Sequence, residues 1–518
     1  MESLVLGVDV GTSNAKCVAF AEETRPVAAA VQGYGMRIPE PGAAEQDPRE
    51  VFEAVVAAVG RVVAEVGSSS VSLVGFSAAM HSVLPVDEDG NPLMPAITYA
   101  DMRSRAETEW LREHGGMAIY RRTGTPLHPM SPLSKLRWLS AVRPDVVAAA
   151  RWFVSLKDWI LWRLTGTLVT DCSTASASGL LNLNEKAWDH AALEAAGITA
   201  HALPDLVSTT HLLDGLGASI ARRLGLPSDV PLCVGATDGV LANLGVGAIR
   251  PGVFCVSVGT SGALRAVVDA PVTDEHGATF CYVLAADKWV AGAPVNNGGL
   301  VLRWLRDKFG APETELADDA FRALDELAAP VPPGARGLVF APHLTGERAP
   351  SWDLDARGAV IGLTLEHGKP ELVRAAMEGV ALSLALVAQS LGQAVPGRVV
   401  LRATGGFTRS PLWLRIVASA LETEIEVPDV GEASCLGAAW LARVAAGDVE
   451  LDAIVDSIVV KTTVAPEARA AETYRDLLPL FASLLPQLRD HFKELRRIEG
   501  RTSSHDQPAP DSEPNNSS

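Results

Sequence analysis

A four-residue segment that occurs twice limits the fold of this chain more than any other feature. Val-Gly-Thr-Ser stands at 10–13 and again at 258–261. Both copies sit at the corner of a strand–turn–strand pattern. Apolar Leu4–Asp9 runs into Gly11-Thr12-Ser13-Asn14, and Lys16–Phe20 returns. Val253–Ser257 runs into Gly259-Thr260-Ser261-Gly262, and Leu264–Val268 returns. A basic residue, Lys16 or Arg265, opens each return strand. These read as hairpins, not as strands entering helices. Gly11 and Gly259 lie 248 residues apart, so a duplication puts one copy at the head of each half. At 518 residues the chain is also too long for one core of ordinary size. Two similar domains with a cleft between them follow.

Strand-like and helix-like patterns alternate along the rest of the chain, which predicts an α/β fold. In the first half, Val71–Phe76 reads as a strand leading to Ser77-Ala78-Ala79-Met80-His81. A hairpin with Asp89-Gly90-Asn91 turn chemistry follows. Ala96–Tyr99 then precedes a helix from about Met102, and Val230–Val234 is a strand stopping at Gly235-Ala236-Thr237-Asp238-Gly239. In the second half, Leu338–Phe340 leads into a polar loop, His343–Pro350. A helix opens at Pro370, a favoured first-turn position, and runs to about Leu391. Val399–Leu401 precedes Gly405-Gly406 and a helix to Leu421, and the last apolar helix ends near Phe492. The expected division is a first domain over 1–247, a second over 248–448, a helical extension over 449–500, and a disordered tail over 501–518.

Charge narrows the partners. A formal net charge of -18 argues against nucleic acid, whose phosphates are held by clustered Lys and Arg. An acidic protein that takes an anionic substrate needs a local basic pocket. No apolar run is long enough to span a bilayer. Met1-Glu2-Ser3 offers no basic leader. The six cysteines are widely spaced with no CxxC pair, the pattern of reduced core thiols. The expectation is a cytoplasmic protein with no membrane partner. A homodimer is an open expectation, since no residue pattern specifies the oligomeric state.

Three turns could hold phosphate. Gly11-Thr12-Ser13 and Gly259-Thr260-Ser261 offer amides and hydroxyls in tight turns, and Gly405-Gly406 offers another close approach. Asp9 ends the first strand beside the first turn, where a carboxylate could hold Mg²⁺. There is no GxxxxGK[ST] and no GxGxxG, so a nucleotide would lie between hairpins that face each other. Asp238, between Gly235 and Gly239 at a strand end, is a candidate general base; the spacing fits a helix cap equally well. Met80-His81 and Asp101/Arg103 end consecutive strand units and could meet a polyol, but Asp101 also reads as a helix cap.

These motifs resemble the FGGY carbohydrate kinases over roughly residues 3–450. Gly358-Ala-Val360-Ile-Gly362-Leu363, seven residues, then Glu371-Leu372-Val373-Arg374-Ala375-Ala376-Met377-Glu378 fits the family's second signature at every position. Met130-Ser-Pro132-Leu-Ser-Lys135-Leu136-Arg-Trp138-Leu139 fits the first, which fails only at Ser140-Ala141. The resemblance implies two ribonuclease-H-like, actin-like ATPase domains closing over ATP, Mg²⁺ and a sugar. It implies Asp238 as catalytic base and Asp9 as the metal-associated acid. It also implies nucleotide contacts at Gly11, Thr12, Ser13, Lys16, Gly259, Thr260, Gly299, Arg303, Gly405, Gly406 and Ser410. Met80, His81, Asp101 and Arg103 are implied to contact the polyol.

Ser77-Ala-Ala-Met80-His81-Ser-Val83, Ile97-Thr-Tyr-Ala-Asp101-Met-Arg103-Ser104, Arg122-Thr-Gly-Thr-Pro126-Leu-His128-Pro-Met130 and Pro294-Val-Asn-Asn-Gly-Gly299 look like the gluconate-kinase branch. The xylulose-kinase branch usually has Gly where this chain has Ser82. The expected reaction is phosphorylation of D-gluconate at its terminal hydroxyl, with Arg103 or His128 meeting the carboxylate. The alternatives are xylulose or another polyol as acceptor and, in another class, an actin-like nucleotide switch.

Overall fold

The computed structural model describes residues 3–21, 25–285, 287–309 and 317–503. Its frame is two sheets with one strand order. In the first, β1 (Leu4–Val10), β2 (Asn14–Phe20) and β3 (Pro26–Gly33) form an antiparallel meander. β4 (Val71–Ala78) lies parallel to β1, and β5 (Leu232–Thr237) parallel to β4. The order is β5-β4-β1-β2-β3, with Leu212–Leu213 outside β5.

The second sheet repeats the plan. β6 (Val253–Val258), β7 (Gly262–Val268) and β8 (Lys288–Val295) form the meander; β9 (Val400–Thr404) and β10 (Glu424–Pro428) add parallel to β6. The order is β8-β7-β6-β9-β10, flanked by Phe280–Ala285 and Val460–Val464. One order in both halves is what a duplicated hairpin predicts. Because the central strands are covered on both faces, they read as near-continuous apolar runs without strict alternation.

Six helices position the site: α1 (Pro48–Val66), α2 (Asp238–Gly245), α3 (Gly299–Phe309), α4 (Lys369–Ala394), α5 (Ala433–Ala446) and α6 (Ala468–Ser503). α1 is begun by Asp47, whose side chain accepts from the Arg49 amide, and it buries one face on the first meander. α5, from the second half, packs directly on β1, β4 and α2. Four glycines make that seam. A Cβ at Gly7, Gly75, Gly245 or Gly437 would fall on the carbonyl oxygen of Cys435, Ala438, Ala433 or Leu241, respectively. Backbone lies against backbone with no side chain between. At the outer edge the halves meet through side chains: Arg105 grips Asp355 at 3.0 and 2.5 Å, and Tyr120 donates to Asp274 at 2.8 Å. Arg496 of α6 also reaches Asp355.

Five local expectations need correction. The helix expected from Met102 begins at Arg105, because Asp101 accepts the amides of Ala44 and Arg103 and holds that segment in a turn. The Asp89-Gly90-Asn91 turn forms, but its return arm makes only a Val86–Pro92 bridge; Leu84–Val86 pairs with Trp152–Val154. The strand expected to stop at Val234 continues through a bulge at Gly235 (φ 70°) to Thr237. The region from 449 is more than a helical extension, since Val460–Val464 completes the second sheet. α6 passes Phe492 and includes 501–503, and the expected tail over 504–518 lies outside the described residues. All six cysteines are free. Among the described residues, no helix is long and apolar enough to cross a membrane.

Candidate active site

The two hairpins converge where β4 and β5 end. In the first, Asp9 pairs with Lys16 across the β1–β2 ladder and with Ser77 of β4. Ser77 donates its hydroxyl to Asp9 at 2.6 Å. Burial, with Asp238 adding repulsion, pushes the Asp9 carboxyl up to about 7. Lys16 reaches across the seam to Glu432 at 2.8 Å. The turn is braced from outside: Tyr34 donates to the Gly11 carbonyl at 2.5 Å, and Gln46 to that of Thr12 at 2.8 Å.

In the second hairpin, the Gly259 turn is stitched to α3 by Gly298, Gly299 and Leu300 amides, which donate to the carbonyls of Gly259 and Thr260 at 2.7–3.2 Å. Gly299 therefore positions the turn with its own amide. Gly405 (φ 97°) presses on the same turn, and a Cβ there would stand 2.6 Å from the Val258 oxygen. Gly259 and Gly406 have open space where a Cβ would point. Among the described residues, no acceptor meets the amides of Thr12, Ser13 or Thr260. Free amides on both turns suit a polyphosphate.

Asp238 opens α2 at the end of β5. Thr237, without a side-chain capping bond, holds the cap position of the helix, so the cap reading of Asp238 does not hold; among the described residues its carboxylate accepts only from the Gly239 amide, at 2.6 Å. Burial raises its pKa, while that amide and Arg265 pull the other way. Arg265 and the Met80 methyl both stand 3.2 Å from where a Gly239 Cβ would lie, so Asp238 is walled by one residue from each half. Ser434 of α5 donates to the Asp238 carbonyl at 3.3 Å.

His81 is held in an unusual backbone conformation, φ 73°, which a non-glycine residue adopts only when its surroundings impose it. Buried Lys135 imposes it, donating to the His81 carbonyl at 2.5 Å and to that of Met130 at 2.8 Å. The His81 Nδ1–H donates to the Ala177 carbonyl at 2.8 Å, leaving Nε2 as an acceptor. Burial first, then Lys135 and Arg348, pull its pKa down to about 3, so the ring is neutral.

Some expected residues are engaged by other parts of the protein or are exposed. Asp101 is 1% exposed and fully engaged by the Ala44 and Arg103 amides and the Arg103 guanidinium. Arg103 also pairs with Glu45 at 2.7 Å and lies over Trp138. Its charge is matched already by Asp101 and Glu45, which weighs against the expected role of Arg103 in meeting a substrate carboxylate. Ser410 is buried; its hydroxyl donates to Asp325 at 2.5 Å and accepts the Trp413 amide, so it caps a helix. Arg303 is exposed on α3.

Comparison with known proteins now decides the family. Residues 4–245 match the FGGY family of carbohydrate kinases, N-terminal domain, and residues 254–446 match its C-terminal domain. The chain belongs to the FGGY carbohydrate kinases. It is 42% identical to a gluconokinase of Bacillus subtilis (strain 168) over 502 residues, 96% of this chain and 98% of that one. Among solved structures, gluconate kinase from Lactobacillus acidophilus superposes with a TM-score of 0.90 at 34% identity, over 96% of this chain and 100% of that one. Ligand-bound xylulose kinase from Lactobacillus acidophilus gives the same score and identity over 95% and 100%.

In this FGGY kinase, sequence reasoning passed over Lys135, Arg348 and Glu432. Lys135 lies inside the first signature, yet nothing in its spacing tells that it holds a carbonyl two strands away. Arg348 lay in the polar loop expected over His343–Pro350. Its surroundings come from far along the chain, since Trp352, bonded to its carbonyl, packs on His128 of the first domain.

Proposed function

We propose that this FGGY kinase transfers the γ-phosphoryl group of ATP to the terminal hydroxyl of D-gluconate, giving 6-phosphogluconate and ADP. The observation that carries the reading is Asp238, a carboxylate with one amide partner at the floor of a cleft walled by Met80 and Arg265. Such a group can accept the hydroxyl proton as the phosphoryl group is transferred. Neutral His81 offers Nε2 to a polyol hydroxyl. The open amides of Thr12, Ser13 and Thr260 hold the phosphates, and Lys16 adds charge. The near full-length likeness to a gluconokinase supports gluconate as the acceptor.

Mg²⁺ fits the donor set. Asp9 and Asp238 raise the cost of each other's charge, and a divalent cation would relieve it. Asp9, with phosphate oxygens, would hold the ion, which supplies charge neutralisation when bound. Among the described residues no cluster of three potential ligands forms a full protein cage, the usual situation for Mg²⁺ carried with a nucleotide. The closed cleft excludes water from the reacting groups.

The test is ADP release with D-gluconate, D-xylulose and glycerol in parallel, for wild type and Asp238→Asn. The expected result is a preference for gluconate and a fall in kcat of roughly 10²–10⁴-fold in the variant, with ATP binding retained. Near-normal turnover by Asp238→Asn removes the mechanism. A preference for xylulose, which the xylulose kinase likeness makes the chief rival, removes the acceptor.

A further inference from the structure

A linear six-carbon acid bound with its terminal hydroxyl at Asp238 must place its carboxylate at the far end of the cleft, and some cation has to meet it there. Lys16 is paired with Glu432, and Arg103 with Asp101 and Glu45. Lys135 is engaged by the His81 and Met130 carbonyls, and Arg112 by those of Leu127 and Trp352, which leaves Arg265 and Arg348 of the second domain. Arg265 acts on Asp238 and donates to Ser257 at 2.9 Å, so it belongs to the reacting end.

Arg348 is close enough to Arg265 for the two charges to repel, but it is not among the charges that act on Asp238. Its Nε donates to the Asn296 side chain at 2.6 Å, and Trp352, one turn on, donates its amide to the Arg348 carbonyl. The Trp352 ring packs against His128 of the first domain, 5.3 Å between centroids. Burial first, and the Arg348 charge after it, hold the pKa of both His81 and His128 low. Among the described residues, no carboxylate forms an ion pair with it: neighbouring Glu347 is engaged by His343 at 2.8 Å and by the amides of Asn296 and Arg348.

His128 supplies a second, independent sign of a missing acceptor. It is 1% exposed; its Nδ1 accepts the Met130 amide at 3.0 Å, so the proton sits on Nε2. Among the described residues, that buried Nε2–H has no partner. A buried donor left unmet costs about 1–3 kcal/mol and is rare unless a ligand completes it. An unpaired guanidinium beside an unmet donor is a carboxylate site.

We infer that Arg348, steered by Asn296 and assisted by the His128 Nε2–H, binds the carboxylate of the sugar acid and so selects aldonates over neutral polyols. This rests on the reading of the substrate as gluconate. It also gives the second domain a direct hold on the acceptor, tying closure to the presence of the acid.

The experiment compares D-gluconate with D-glucitol, the same carbon chain with an alcohol in place of the carboxylate, as acceptor or competitive inhibitor. In Arg348→Gln the KM for gluconate is expected to rise about thirtyfold, the size of losing one hydrogen bond to a charged group. The affinity for glucitol and the KM for ATP should change less than about threefold, and Arg348→Lys should recover part of the loss. If Arg348→Gln does not fold, Asn296→Ala carries the test, with a rise of about fivefold confined to gluconate. Equal losses for both ligands, or an unchanged KM for gluconate, overturn the assignment. A wild type with no preference for gluconate over glucitol overturns the sugar-acid reading itself.

Discussion

In the first hairpin Asp9 faces Lys16 across the ladder; at the matching place in the second, Ser257 faces Ala263. Four residues separate the last pair in the first turn, Val10 and Ala15, but only three separate Val258 and Gly262. Arg265 consequently lies two residues beyond the position equivalent to Lys16, which returns it to the same face of its strand. The first hairpin thus carries an acid and a cation, braced by Tyr34 and Gln46, while the second carries a neutral hydroxyl bonded to Arg265. Duplication kept the backbone that presents open amides and let the side chains divide the work. Beyond the shared amides, one lobe adds negative charge for a cation, and the other adds an arginine that acts on Asp238.

The largest effect that tests this division is the exchange of its acid. Asp9→Asn should lower kcat/KM about 10²-fold and raise the Mg²⁺ requirement, while Ser257→Ala should cost less than about threefold. Equal losses would mean that the two hairpins act alike. The pH dependence sharpens the point. At limiting MgATP, wild-type kcat/KM should rise with pH through about 7 as Asp9 ionises, and excess Mg²⁺ should move that limb to lower pH by competing with the proton. Stability has the opposite sign. The folded pKa of Asp9 is raised above its usual 3.8, so native protein retains a proton that the unfolded chain releases. The resulting stability is present at low pH and lost as pH rises through about 7. Asp9→Asn should therefore melt a few degrees higher at pH 8, with the gain vanishing towards pH 4.

A smaller effect separates support from contact in the second hairpin. Gly405→Ala forces a methyl onto the Val258 carbonyl at a positive φ and should raise the KM for ATP about tenfold with loss of stability. Gly259→Ala meets open space and should raise it only about twofold. Smallest of all is the bridge between lobes. Lys16 and Glu432 are both partly exposed, at 28% and 44%, so Glu432→Gln should shift the melting temperature by under about 2 °C.

The repeated hairpin, the α/β alternation and the place of Asp238 at a strand end were legible in the sequence because each depends on local pattern. The strand order was not read from the sequence; that both sheets share it agrees with the duplicated hairpin. What escaped were partnerships across long separations. Asp101 and Arg103 look like two free polar groups in the chain, yet folding brings Glu45 to them and closes the set. Ser410 looks like a loop hydroxyl until Asp325 arrives to bind it. Arg348 is unremarkable within its loop, and only the approach of His128 and His81 from the other domain gives it a role.

The glycine seam between α5 and the first sheet has a mechanical consequence. With carbonyls resting directly where side chains would otherwise interlock, the two halves cannot slide past one another without collision along the whole line. They can still rotate about it, as a door turns on its pin. The cleft therefore has essentially one way to gape, and the distance it swings is set at the rim, where Arg105 lets go of Asp355 and Tyr120 of Asp274.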